Sequence, residues 1–155
     1  MPNFWWVNQG NTYDVQRPGG YVFASSGSGS GRDMPAWDRL KQFQVDDVVF
    51  HYARGALRAL GKVTTSAELT PHPEGERQGA EVNADQGYKV SVQYYDIEPP
   101  IALDDIPLEI RDRGPFTKGE KKIGDPNQQY ANELSNSFVM EFRKAFLDRL
   151  PFDPW

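Results

Sequence analysis

Apolar residues in this chain come in short runs, separated by Gly, Pro and polar clusters. Residues 3–8 (NFWWVN) are an aromatic run closed by polar residues, which predicts a buried strand. Residues 9–20 follow as a loop, because Gly10, Asn11, Pro18, Gly19 and Gly20 are turn formers. Residues 21–24 (YVFA) predict a second short strand, and 25–31 (SSGSGSG) a flexible stretch whose composition supports no packed structure. Over residues 35–44 (PAWDRLKQFQ), Trp37, Leu40 and Phe43 share one side and Asp38, Arg39, Lys41 and Gln42 the other. That is helical spacing, and Pro35 near the start is compatible with it.

Residues 45–52 (VDDVVFHY) predict a turn and then a core strand, 53–55 a hairpin loop, and 56–67 a return strand with a bulge at Gly61. Residues 70–86 are a long polar loop. In 88–97 (YKVSVQYYDI), Val90, Val92 and Tyr94 alternate with Lys89, Ser91 and Gln93, which is strand spacing, and Pro99-Pro100 is expected to stop it. Residues 103–110 predict a short helical turn, 113–127 a polar loop, and 129–150 a helix with Phe138, Phe142 and Phe146 at i, i+4, i+8. No repeat or internal linker interrupts this order. The whole chain, 1–155, therefore reads as one α+β domain: a small curved or pseudo-barrel mixed sheet with flanking helices. Residues 151–155 (PFDPW) read as the beginning of a linker.

Composition narrows the chemistry. No apolar run approaches the roughly 20 residues that span a bilayer, and the N-terminus carries no secretory pattern. The absence of Cys excludes disulfides, thiolate catalysis and Cys-ligated zinc, and fits a reducing, cytoplasmic setting. The net charge of −5 is divided unevenly. Residues 1–65 carry seven Lys/Arg against five Asp/Glu, and residues 66–155 ten against seventeen. An acidic chain neutralises few phosphates, so any contact with nucleic acid falls on the first half and is led by stacking. His51 and His72 are the only histidines, and no HxxxH, HExxH, EF-hand, GxSxG or P-loop pattern occurs. No cofactor, metal or catalytic residue is expected. Asp46-Asp47 and Asp104-Asp105 read as solvated turn or cap residues, and Arg143-Lys144 as a solvated face.

The aromatic residues are more informative. They make up 13% of the chain, and half of them lie in its first third. Trp6, Asn8, Gln9 and Tyr13 place aromatics beside two amides at a strand end, Tyr21, Phe23, Ala24 and Ser25 return with aromatic and small residues, and His51 ends a third aromatic run. Aromatic faces stack a nucleobase, while amides and free backbone groups read its edge. For any single one of these aromatics, a place in the core is the default; the neighbouring amides favour a pocket for the cluster. Arg32, Arg54 and Arg58 are the candidate contacts to a nucleic-acid backbone.

Several segments, in order, resemble the EVE and YTH branch of the PUA-like superfamily. They are FWWVNQGNTYD (4–14), GGYVFAS (19–25), AWDRLKQFQVDDVVFHY (36–52), ALGKVTTSAEL (59–69), YKVSVQYYDIEPPIALDDIP (88–107) and NQQYANELS (127–135). The chain departs from the pattern at Asp46, where a Gly is usual before Asp47. The resemblance implies a pseudo-barrel whose pocket takes a flipped, modified base. It is the kind of domain found at the N-terminus of methylation-dependent restriction endonucleases. By motif position it implies Phe23 as the cage aromatic, Asn8 and Gln9 as contacts to the base edge, and Ala24 and Ser25 as backbone contacts, with Trp37, His51 and Tyr130 as further candidates. The implied partner is modified DNA, most simply modified cytosine. The alternatives are modified RNA of the N6-methyladenine type, or a small RNA- or nucleotide-processing enzyme of the same fold. With no nuclease or NTPase motif present, cleavage is expected from a fused or separate subunit and not from this chain, which reads as a non-enzymatic binding module.

Overall fold

The computed structural model describes residues 2–25, 36–71, 86–114, 116–117, 125–126 and 130–155. The expected Gly/Ser loop beyond Ser25, Arg32, Pro35 and residues 72–85 lie outside these. The sheet comprises β1 (Phe4–Asn8), β2 (Tyr21–Ser25), β3 (Val48–Ala53), β4 (Ala56–Val63), β5 (Glu68–Pro71), β6 (Gln86–Ala102) and β9 (Ala131–Glu133). Its order is β2-β6-β4-β3-β1-β9, with β5 on the first residues of β6. β1 runs parallel to β3 and the other pairs are antiparallel, so the sheet is mixed. The helices are α1 (Tyr13–Gly19), α2 (Ala36–Leu40), α3 (Leu108–Arg111) and α4 (Asn136–Phe146).

The strands bury both faces, which explains why β1 and β3 read as continuous apolar runs. Phe4, Trp6, Val48, Phe50, Leu60, Ile97 and Ile101 point to the convex side, where α4 covers them with Phe138, Phe142 and Phe146. Trp5, Val7, Val22, Val49, Ala59, Val90, Val92 and Tyr94 fill the concave side with Leu40 and Phe43. Ser135 accepts a hydrogen bond from the Phe138 amide and so fixes the start of α4 at Asn136, later than its Phe stripe suggested. β9 occupies part of the interval assigned to that helix.

Four local expectations change for physical reasons. Residues 10–19 are not a loop but a 3-10 turn (Gly10–Thr12) followed by α1, which Gly20 ends in the left-handed region at φ 72°. β6 does not stop at Pro99-Pro100. Four of its residues, 97–100, face Arg58 alone between the pairs Ala59–Asp96 and Leu57–Ile101, so neither proline has a ladder bond to make. The irregularity of β4 therefore lies at Arg58 and not at Gly61, which pairs regularly with Val49 and Tyr94. Within 113–127, read as a loop, Phe116–Thr117 (β7) and Asp125–Pro126 (β8) pair.

Two acidic readings also change. Asp47 is buried: its carboxylate accepts from the Asn3 and Gln44 amides and the Trp5 indole at 2.9–3.0 Å, tying β1 to the turn before β3. Asp46 sits at φ 75°, the conformation that explains a glycine preference there. Residues 151–155 pack back onto the domain instead of leaving it as a linker. Pro154 is buried, Trp155 stacks on Phe4, and Asp153 pairs with Arg143, which is therefore not simply solvated.

Phe50 lies between Trp6, Phe138 and Phe142 at centroid distances of 6.4, 6.2 and 5.4 Å. Phe50→Ala is expected to cost about 3–5 kcal/mol, whereas Val45→Ala, at an exposed position, changes stability by less than about 0.5 kcal/mol. Urea unfolding of the two variants checks this, and near-equal midpoints would contradict it.

Candidate functional site

Among the described residues β2 has a strand neighbour on one side only. The Val92 amide donates to the Gly20 carbonyl, so Gly20, Val22 and Ala24 turn their backbone groups to β6. Tyr21, Phe23 and Ser25 turn theirs outward, to the open edge of the half-barrel. Side chains from α1, β6 and the approach to β9 meet that edge in place of a strand.

The meeting point is a buried polar network. Gln9 leaves β1 with its amide donating to the Tyr52 carbonyl and its carbonyl accepting from Thr12. Its side-chain Nε2 donates to Gln16 Oε1 at 2.7 Å and to the Tyr94 hydroxyl at 2.9 Å. Gln9 Oε1 lies 2.8 Å from His51 Nδ1. Because that oxygen can only accept, Nδ1 carries the imidazole proton. His51 is 0% exposed, and burial, reinforced by the charge of Arg17, pushes its pKa down to about 3, so the ring is neutral. Its Nε2 has no hydrogen-bond partner among the described residues. A Cβ on Gly61 would come within 2.4 Å of that nitrogen, so the glycine makes room for the ring.

Tyr94 stacks on His51 at 4.0 Å, meets the edge of Tyr13, and carries the Arg17 guanidinium 5.7 Å from its ring centre. Burial pushes its hydroxyl pKa strongly upward, so the group stays protonated and donates to the Tyr21 carbonyl at 2.7 Å. The Tyr130 hydroxyl donates to Gln16 Oε1 at 2.5 Å. Two longer bonds reach the edge itself: the Phe23 amide donates to the Tyr130 hydroxyl at 3.3 Å, and Gln16 Nε2 donates to the Phe23 carbonyl at 3.4 Å.

Of the residues singled out in the sequence, Gln9, His51, Tyr130 and the backbone of Tyr21 and Phe23 join this network, and Tyr13 packs against it. Ala24 is buried beneath the edge, and Ser25 pairs with Gly87. The Asn8 amide donates to the Tyr130 carbonyl at 2.7 Å. Phe23 is 4% exposed but belongs to neither hydrophobic cluster. Trp6 is on the far face of β1, against Tyr52 and Phe138. The Trp37 side chain lies outside the described residues. Arg54 and Arg58 sit at the β3–β4 hairpin, Arg54 paired with Asp14 and Arg58 donating to the Ala53 and Arg54 carbonyls. Arg17, bound to Asp96 through two nitrogens, joins them around the Tyr13 hydroxyl, whose pKa rises chiefly through burial.

Sequence reasoning missed Gln16 and Tyr94. Gln16 lies three residues after Tyr13, on the same helix face, but only once 13–19 is known to be helical. Tyr94 was visible as an inward strand position, not as the carrier of a hydroxyl. A separate cleft of about 300 Å³ lies between α2 and β9, lined by Trp5, Arg39, Gln42, Asn132 and Glu133. Arg39 is occupied there with the Ala131 carbonyl and Asn132. Among the described residues no group of His, Asp and Glu is arranged to hold a metal, and no helix is long and apolar enough to cross a membrane.

No family model matches the chain, and no curated protein matches it by sequence. Solved structures do. Human THYN1 protein in complex with 5-methylcytosine-containing DNA is 14% identical, covering 96% of this chain and 99% of that one at a TM-score of 0.53. The Pho92 YTH domain in complex with m6A is 13% identical, covering 94% and 83% at 0.53. A hypothetical protein from Leishmania major is 12% identical, covering 96% of each chain at 0.56. The chain therefore shares the fold of these solved structures, the YTH domain among them, in agreement with the order of its sequence segments.

The buried histidine generates a pH prediction. The unfolded imidazole takes up a proton below about pH 6.5, whereas the folded one does so only near 3. The unfolded state thus binds more protons in that interval, and the stability that His51 contributes falls as pH drops through 6.5. His51→Asn keeps a donor for Gln9 but cannot titrate. Urea midpoints at pH 7, 5.5 and 4 are expected to show the wild-type advantage over the variant shrinking with each step, and a constant difference would contradict a neutral buried ring.

Proposed function

We propose that the chain is a reader of modified nucleobases in nucleic acid, acting by binding and not by catalysis. The observation that carries this reading is the outward edge of β2. Phe23 presents an N–H and a C=O on the same side, beside buried aromatics and an oriented amide network, in a fold shared with proteins solved on 5-methylcytosine DNA and on m6A. One donor and one acceptor in line match a base edge, and the neighbouring rings supply a stacking surface. In this reading Phe23, Tyr21 and Ser25 contact the base, whereas Ala24, expected as a backbone contact, turns its groups to β6 and does not. Gln9, His51 and Tyr94 act behind them, since the Gln9 amide is already committed to three internal partners.

Arg54, at the exposed hairpin tip, and Arg17 are the candidates for phosphate contact, with Arg58 shaping the hairpin. Each of the first two is shared with a carboxylate, which keeps the number of neutralised phosphates small. The preferred ligand is a modified cytosine in DNA, with an RNA base as the competing choice. The wider role we propose is the specificity module of a modification-dependent restriction system in the cytoplasm, with a fused or separate subunit supplying the nuclease.

The test is a panel of identical DNA and RNA oligonucleotides, unmodified or carrying methylcytosine, hydroxymethylcytosine or methyladenine. One modified base is expected to be favoured over its parent by roughly 1–3 kcal/mol, with a shallow salt dependence. Phe23→Ala is expected to weaken that binding about tenfold or more while lowering the melting temperature less than Phe50→Ala. Equal affinity across the panel, or a Phe23→Ala variant that is destabilised yet binds normally, would overturn the assignment.

A further inference from the structure

The two halves of the polar network differ in how tightly they are made. On the inner side, His51 to Gln9, Gln9 to Gln16 and Tyr94, and Tyr130 to Gln16 all fall between 2.5 and 2.9 Å. The two bonds that cross to the Phe23 peptide measure 3.3 and 3.4 Å, at the weak end of the hydrogen-bond range. The network therefore has a seam between a firmly held carboxamide–phenol pair and the strand edge. At that seam Gln16 offers an N–H and Tyr130 an oxygen. A donor beside an acceptor is what a nucleobase edge offers a peptide group.

We propose that Gln16 and Tyr130 form an internal plug that occupies the Phe23 edge in the free protein and yields it to the incoming base. The inference rests on the reader assignment and adds a specificity device to it. Two observations support it beyond the distances. The backbone of Tyr130 is pinned, because its carbonyl accepts from the Asn8 amide at 2.7 Å, so opening asks only its half-buried side chain to move. Gln16 keeps its bond from Gln9 when it releases Phe23, because Gln9 holds its oxygen in an orientation dictated by the Nδ1 proton of His51. A ligand that satisfies both Phe23 groups exchanges two long bonds for two of its own. One that satisfies only one group leaves the other unpaired in a buried place, which disfavours it. The plug thus raises the threshold that a base must pass, and Tyr130 sets part of its height.

Tyr130→Phe keeps the ring and removes the hydroxyl. It destabilises the plugged state without removing a group that the base contacts, so the binding-competent fraction grows. Two measurements test this on the full chain. Hydrogen exchange of the free protein is expected to show the Phe23 amide less protected than Val22 and Ala24, which bond to β6, and to show it exchanging several-fold faster in Tyr130→Phe. Titration with whichever modified oligonucleotide the wild type prefers is expected to show about three- to tenfold tighter binding by Tyr130→Phe, the scale of one ordinary hydrogen bond. An unchanged Phe23 amide, or equal or weaker binding by the variant, would overturn the plug while leaving a wild type that still prefers a modified base. A wild type that binds no member of the panel overturns the reader assignment and the displacement together.

Discussion

Among the described residues β2 ends the sheet with no strand on its outer side, and there its Tyr21 and Phe23 peptide groups are met by something other than a strand. The protein does this with side chains. Tyr94 takes the Tyr21 carbonyl, and Gln16 and Tyr130 share the Phe23 peptide. Each of these groups is held in turn by Gln9, directly or through Gln16, and the orientation of Gln9 is set by a proton on one nitrogen of a buried histidine. A small fold has thereby closed one side of its barrel with groups that can exchange partners, which strands joined by a full ladder cannot easily do.

The chain builds around this constraint. Parallel pairing of β1 with β3 sets His51 opposite Val7, within side-chain reach of Gln9 just past the end of β1. Gly61 removes the side chain that would otherwise occupy the place of the imidazole. The long β6 carries Tyr94 on the concave side and, a few residues later, Ile97 and Ile101 on the convex side, so one strand serves both cores. The second core, where Phe50 meets the Phe stripe of α4, holds the sheet rigid behind the site.

Much of this was legible in the sequence, and the gaps have identifiable causes. Continuous aromatic and β-branched runs marked β1 and β3, which are buried on both faces, and alternation of apolar and polar residues marked β6. The stripe of Phe138, Phe142 and Phe146 marked α4. The ordered segments pointed to the fold that the YTH domain shares, and one departure from the pattern, Asp46, proved to sit at the positive φ that favours glycine. Gln16 was hidden because Gly10, Pro18, Gly19 and Gly20 disguise a two-turn helix as a loop. The continuation of β6 through Pro99-Pro100 was hidden because the missing ladder bonds depend on a register that only the paired strand reveals. His51 and Gln9 were recognised as candidates, but their pairing spans 42 positions and is set by strand order alone.

The central claim is that the open edge of β2 is the ligand-binding surface. The most direct measurement is a map of backbone amide chemical shifts as a modified-base oligonucleotide is titrated against its unmodified counterpart. The account predicts that the shifts specific to the modified base center on Tyr21, Phe23 and Ser25 and extend to Gln9, Gln16 and the Tyr130 region. Base-specific shifts confined to the cleft formed by Trp5, Arg39, Gln42, Asn132 and Glu133, with the β2 edge unmoved, would contradict it.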